Sequence, residues 1–173
     1  MIMAALQERQ IKELDIDWYC LVGGVPTHIA SMGGMISAQF RDREKLRLIQ
    51  NEVARMEPFV DVRLNMENIL KQIANGYEYL EDETMSIAVE QANNNHPGFQ
   101  FLSGQDLPVR LFAATFVEKA RRGFRSFAKQ DGVGENEYIL IAEPANHVEY
   151  TGGKVRLEEL KCEIRDNKTR IVI

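Results

Sequence analysis

Two runs rich in aromatic and β-branched residues, 16–22 and 25–32, flank the pair Gly23-Gly24. Glycine reaches the positive φ angles of a two-residue hairpin turn, so these runs predict a β-hairpin. Pro26 has no N–H, which restricts the second strand to a sheet edge or to pairing beyond that residue. Further on the period changes. Leu46, Ile49, Val53 and Met56 recur at helical spacing behind Asp42, a favoured N-cap residue, and Pro58 stops the helix. Residues 59–64 alternate Phe59, Asp61 and Arg63 against Val60, Val62 and Leu64, the pattern of a half-buried strand. Asn65 caps a second helix, Leu64 and Ile69 are placed to staple its entry, and Gly76 ends it.

Beyond Gly76, Met85, Ala88, Val89 and Ala92 predict a third helix capped by Asp82, and residues 93–98 break it. Residues 99–102 read as a short strand, 103–107 as a loop, 109–113 as extended chain, and 115–122 as a short helix with Gly123 at its C′ position. Residues 124–129 and 137–142 predict a hairpin across the polar loop 130–136, and Pro144 closes its second strand. Gly152-Gly153 marks another turn. The tail predicts a helical turn near 158–160 and a last hairpin through 165–168. Residues 1–14 read as a short helix or a frayed arm. Strands that occur in hairpins, interleaved with helices but without regular βαβ units, predict an α+β fold. The expected architecture is a single domain over 1–173, a mainly antiparallel sheet built from hairpins with roughly three to five helices packed on it.

Composition narrows the class. A chain of 173 residues fits one domain that buries a core without staples. Its 45% hydrophobic and 27% charged residues are those of a soluble globular protein. Apolar runs all fall short of the ~20 residues of a membrane span, and the first residues are too short a run for a secretory signal. Cys20 and Cys162 make no disulfide framework. The expectation is a reduced, cytoplasmic protein with no membrane partner. A formal charge of −5 opposes non-specific nucleic-acid binding and suits a basic protein partner.

Candidate chemistry is sparse. His28, His96 and His147 lie far apart and outside any ligand spacing, so neither a metal nor a cofactor is expected. His28 sits mid-strand beside acidic residues of the partner strand and reads as a satisfied strand histidine. Asp15 and Asp17 could share a face; the reading adopted is that Asp15 caps the preceding turn and Asp17 faces solvent. The turn Ser31-Met32-Gly33-Gly34 lacks the P-loop ending. Lys119, Arg121, Arg122 and Arg125 cluster around a helix end, where cations complement the helix dipole and could receive an anion or an acidic partner. Phe124 and Phe127 fall on opposite strand faces and cannot form one stacking platform. Cys20 lies in an apolar strand, where a thiol is inert.

Two segments resemble a set of uncharacterised bacterial proteins. Asp17-Trp18-Tyr19, the glycine turn, and the run from His28 to Gly33 are similar to their "DWF…G…hydrophobic-x-S-x-G" hairpin. The run from Ala120 to Phe127, followed by that from Tyr138 to Pro144, is similar to their "A-x-RG-aromatic-x-[ST]-aromatic…Y-x-L-I-A-x-P" hairpin. Tyr19 stands where Phe is more usual, Ala128 where Asp often follows, and residues 42–115 lie outside the resemblance. It implies a small cytoplasmic protein, in some cases an immunity protein for a secreted toxin, and supplies no catalytic residue. The resulting expectation is a protein that acts by binding another protein, as an immunity or regulatory partner, with residues 93–106 and 130–136 as contact candidates. The alternative is a small enzyme or ligand-binding domain with a site around Asp17, His28, Arg121 and Arg122, in which Asp17 and His28 do the acid–base work.

Overall fold

The computed structural model describes residues 17–30, 42–76, 97–130, 137–146 and 156–173. Strands β1 (Asp17–Val22) and β2 (Val25–Ala30) form the expected antiparallel hairpin. Gly23 and Gly24 turn it with φ of +57° and +76°, the left-handed pair that a tight hairpin needs. Helix α1 (Arg43–Arg55) starts where expected, with the Asp42 carboxylate accepting from the N–H groups of Glu44 and Lys45. Strand β3 (Val62–Leu64) leads into α2 (Met66–Gly76), whose first turn is capped by the Asn65 side chain on Asn68 N–H.

The middle of the chain departs from expectation. Residues 99–102 are not a strand: Pro97–Phe101 is a short helix, α3. Residues 109–113 are not extended: Leu107–Arg121 is one helix, α4. Its buried Val109, Phe112, Ala113, Phe116, Val117 and Ala120 follow a helical period throughout, and Pro108 occupies its first turn, where a missing N–H costs nothing. The expected strand over 59–64 shortens to β3. The N–H groups of Phe59 and Val60 both turn to the carbonyl of Arg121, one of the orphan acceptors at the end of α4.

That helix ends as its glycine demands. Gly123 has φ +96°; its N–H donates to Ala120 O and that of Phe124 to Lys119 O, the paired bonds of a Schellman cap. Strand β4 (Arg125–Lys129) follows at once and pairs antiparallel with β5 (Glu137–Pro144). Strands β6 (Glu163–Arg165) and β7 (Arg170–Val172) form the expected last hairpin. The helical turn expected near 158–160 is absent. Those residues run beside β1, exchanging bonds with both polar groups of Leu21, because the outer edge of β1 would otherwise be left unpaired. Residues 1–16, 31–41, 77–96, 131–136 and 147–155 lie outside the described set, and with them the N-terminal arm, Asp15, the Ser31–Gly34 turn, the 82–92 helix, and the two other histidines.

Among the described residues seven strands form one sheet in the order β1-β2-β4-β5-β7-β6, with β3 beside β5. All ladders are antiparallel except β2–β4, whose parallel pairing begins at Thr27, just past Pro26. The described residues thus make an α+β fold with four helices and a mostly antiparallel sheet, as expected, and all four of these helices lie in the long crossover between β2 and β4. The sheet curls. Trp18 of β1 and Tyr138 of β5 meet edge to face at 6.5 Å, although a flat sheet would hold those strands about 14 Å apart. Their face, with Cys20, Ile29, Phe127 and Ile171, makes the concave core. The opposite face packs on α2 and α4 through Ala128, Ile139 and Ile141, and on α1 through Tyr19 and Phe124. Phe124 and Phe127 do lie on different sides.

Candidate functional site

β1, β2 and β4 are neighbours in the sheet, and alternation puts Asp17, His28 and Ser126 on its helix-covered face. His28 stands directly opposite Ser126 in the parallel register. Asp17 stands opposite Ala30, so it meets His28 along the diagonal, within reach of longer side chains. The three form a hydrogen-bonded chain: Asp17 Oδ1 lies 2.9 Å from His28 Nε2, and His28 Nδ1 lies 2.5 Å from Ser126 Oγ. The expectation that Asp17 faces solvent is therefore corrected. Its side chain is 37% exposed, and its carboxylate turns toward the imidazole of the neighbouring strand.

The environment assigns the protons. Burial pushes the His28 pKa below its ordinary value, and the Asp17 bond opposes but does not cancel this. The ring is therefore neutral, donating from Nε2–H to Asp17 and accepting at Nδ1 from the Ser126 hydroxyl. Burial works to raise the Asp17 carboxyl, yet the His28 hydrogen bond and the charge of Lys119 on α4 hold it below the ordinary carboxylate value. Tyr19 and Phe116 flank the imidazole at 5.3 and 6.1 Å, and burial drives the Tyr19 phenol far above its usual range.

An Asp–His–Ser chain is the hydrogen-bond order of an acyl-transfer triad, so its surroundings decide what it does. A nucleophile needs a reacting carbonyl about 3 Å from its oxygen. Here His28 and Ser126 are both 0% exposed, beneath the rings of Tyr19 and Phe116. The chain acts as a polar tie across three strands, every member satisfied, which fixes their register. Ser126 escaped the sequence reading; its signal was a lone hydroxyl on the buried face of an aromatic strand.

The basic residues read as one cluster part ways. Arg122, 10% exposed at its side chain, bonds the Glu118 carboxylate at 3.0 Å and the Met56 carbonyl at 2.8 Å, and so ties α4 to the end of α1. Arg125 bonds Glu143 and lies over Phe127. The Lys119 charge acts at a distance on Asp17 and His28, lowering the pKa of both. Arg121 stacks on Phe101, 4.8 Å above the ring. Of the four residues in the enzyme reading, the structure brings Asp17 and His28 together and engages Arg121 and Arg122 elsewhere.

Arg121 instead marks a surface feature that sequence reasoning missed. Phe101, at the end of α3, is 42% exposed beside it. Phe59, anchored through its N–H to Arg121 O, is 58% exposed. Glu57 and Asp61, both exposed, flank Phe59. Neither aromatic could be recognised from local pattern, since Phe101 lies where a helix replaces the expected strand and Phe59 in the part of the expected 59–64 strand that does not form. Among the described residues no group of three or more His, Cys, Asp or Glu is arranged to hold a metal ion, and no helix is long and apolar enough to cross a membrane. No protein-family model, curated protein or solved structure matches this chain.

Proposed function

We propose that this protein acts by binding a basic protein partner, in an immunity or regulatory role, through the surface formed by Phe59, Phe101 and Arg121. The observation that carries the reading is the exposure of Phe101 under the Arg121 guanidinium and of Phe59, bonded through its N–H to the Arg121 carbonyl, while the other aromatics among the described residues are buried. Phenylalanine and arginine are enriched at interfaces, where they serve as anchors. Glu57, Asp61 and the formal charge of −5 give the surface its preference for a positive partner and a fast approach to it. Phe101 belongs to the 93–106 segment that the sequence nominates for contact. The Asp17–His28–Ser126 chain supports the same reading, since full burial leaves His28 and Ser126 with no path to a substrate.

The test mixes the purified chain with the products of the genes beside its own and follows complex formation by size-exclusion chromatography and calorimetry. A basic protein should co-elute, and Phe101→Asp or Phe59→Asp should weaken it by about thirtyfold, the loss of one anchor of about 2 kcal/mol. Absence of any complex, or one indifferent to both substitutions, removes the proposal.

A further inference from the structure

A cleft of about 290 Å³ opens at the end of the sheet where β2 and β4 begin and β5 ends. Among the described residues its charged walls are Arg63, Arg125, Lys168 and a single carboxylate, Glu143. Three cations against one anion invert the sign of a chain whose formal charge is −5. The cations are held in place. Arg63 donates from Nε and Nη2 to Glu143 Oε1 at 3.2 and 2.7 Å, and Arg125 donates from Nε to Oε2 at 3.3 Å. Arg125 also donates to the Lys168 carbonyl and rests on the Phe127 ring, so its side chain, 12% exposed, is rigid before any ligand arrives. Glu143 thus spaces two guanidinium groups while cancelling only one of the three positive charges.

The third cation comes from an unusual turn. Asp166, Asn167 and Lys168, between β6 and β7, have φ of +49°, +53° and +70°. Three successive non-glycine residues in the left-handed region are costly, and such strain concentrates at binding sites. The turn brings Asn167 and Lys168 to the cleft wall, while Asp166 turns away to Arg170 at 3.1 Å. Among the described residues the Lys168 ammonium forms no ion pair. Gly123, also in the wall, adds no side chain to crowd the space.

We propose that this cleft binds a phosphate monoester. The net local charge of two positive units matches a dianion. Guanidinium forks fit phosphate oxygens bidentately, and a lysine adds a point charge. The site uses none of the residues of the proposed partner surface and stands independently of it.

Calorimetry with methyl phosphate, against sodium chloride at equal ionic strength and against citrate, tests this on the full chain. Saturable binding of methyl phosphate is expected. Arg63→Gln and Lys168→Gln, both at exposed positions, should each weaken it about fivefold, the effect of one unit charge near 4 Å in water. Glu143→Gln should tighten it by a similar factor, a gain that general damage to the fold would not produce; circular dichroism checks that each variant is folded. No saturable binding up to about 10 mM would overturn the proposal. So would tighter binding of citrate than of methyl phosphate, affinity unmoved by the Arg63 and Lys168 substitutions, or weaker binding by Glu143→Gln.

Discussion

The polar tie between β1, β2 and β4 can be weighed by taking it apart in two steps. His28→Leu leaves the Ser126 hydroxyl without its partner in a site that is 0% exposed. Ser126→Ala strands the Nδ1 lone pair of a ring that is equally buried. A buried polar group deprived of its partner costs about 1–3 kcal/mol, so each single variant should lose that much. The double variant removes both ends of the same bond and leaves nothing unpaired between β2 and β4. It should therefore be less destabilised than the sum of the singles by about 1–2 kcal/mol. Asp17, being partly exposed, recovers water when the ring is gone and adds little. Urea unfolding followed by fluorescence gives the three differences, and unchanged slopes would show that the unfolded state is not responsible. Additivity within about 0.5 kcal/mol would refute the claim that the bond is a structural unit.

The same ring sets a pH dependence. Its folded pKa lies below the ordinary 6.5, so on acidification the unfolded chain takes up the proton first. Stability should be full above about pH 6.5 and fall as pH drops toward the folded value, by at most about 1.4 kcal/mol per unit. The Asp17 carboxyl, also held below its ordinary value, is present as a stabilising anion above about pH 4 and is lost as pH falls further. His28→Leu should remove the loss in the upper window. A wild-type stability flat from pH 7 to pH 5, or an unchanged profile in the variant, contradicts a neutral buried imidazole.

Two further outcomes probe the packing. A Cβ at Gly98 would sit 2.0 Å from the Ala114 carbonyl oxygen, so Gly98→Ala should push α3 off α4 at a cost of about 1–3 kcal/mol, read as a lowered melting temperature. Burial pushes the Cys20 thiol far above its usual pKa and hides it in the concave core, whereas Cys162 is only partly covered and less strongly raised. A thiol reagent should label Cys162 slowly in the folded protein and Cys20 only after denaturation; rapid labelling of both would mean that the curl of the sheet opens.

Local chemistry made the punctuation of this chain readable. Gly23-Gly24, Asp42, Asn65, Gly123 and Pro144 act within a few residues of themselves, through φ angles, caps and a missing N–H, so their effects needed no knowledge of the rest of the fold. The hairpins they delimit, and with them the α+β class, were legible for that reason. The segment from Phe99 to Ala113 was not, because short apolar runs look alike in a strand and in a helix buried on one face. Whether residues 158–160 coil or extend depends on the open edge of β1, more than a hundred residues away. Asp17, His28 and Ser126 become one hydrogen-bonded chain only through the parallel β2–β4 pairing, a contact that no local pattern encodes. The positive cleft likewise draws Arg63, Arg125, Glu143 and Lys168 from four separate segments. Spacing along a chain reports what neighbours can do to each other; which distant side chains converge, and whether water can reach them, is settled by strand order and burial.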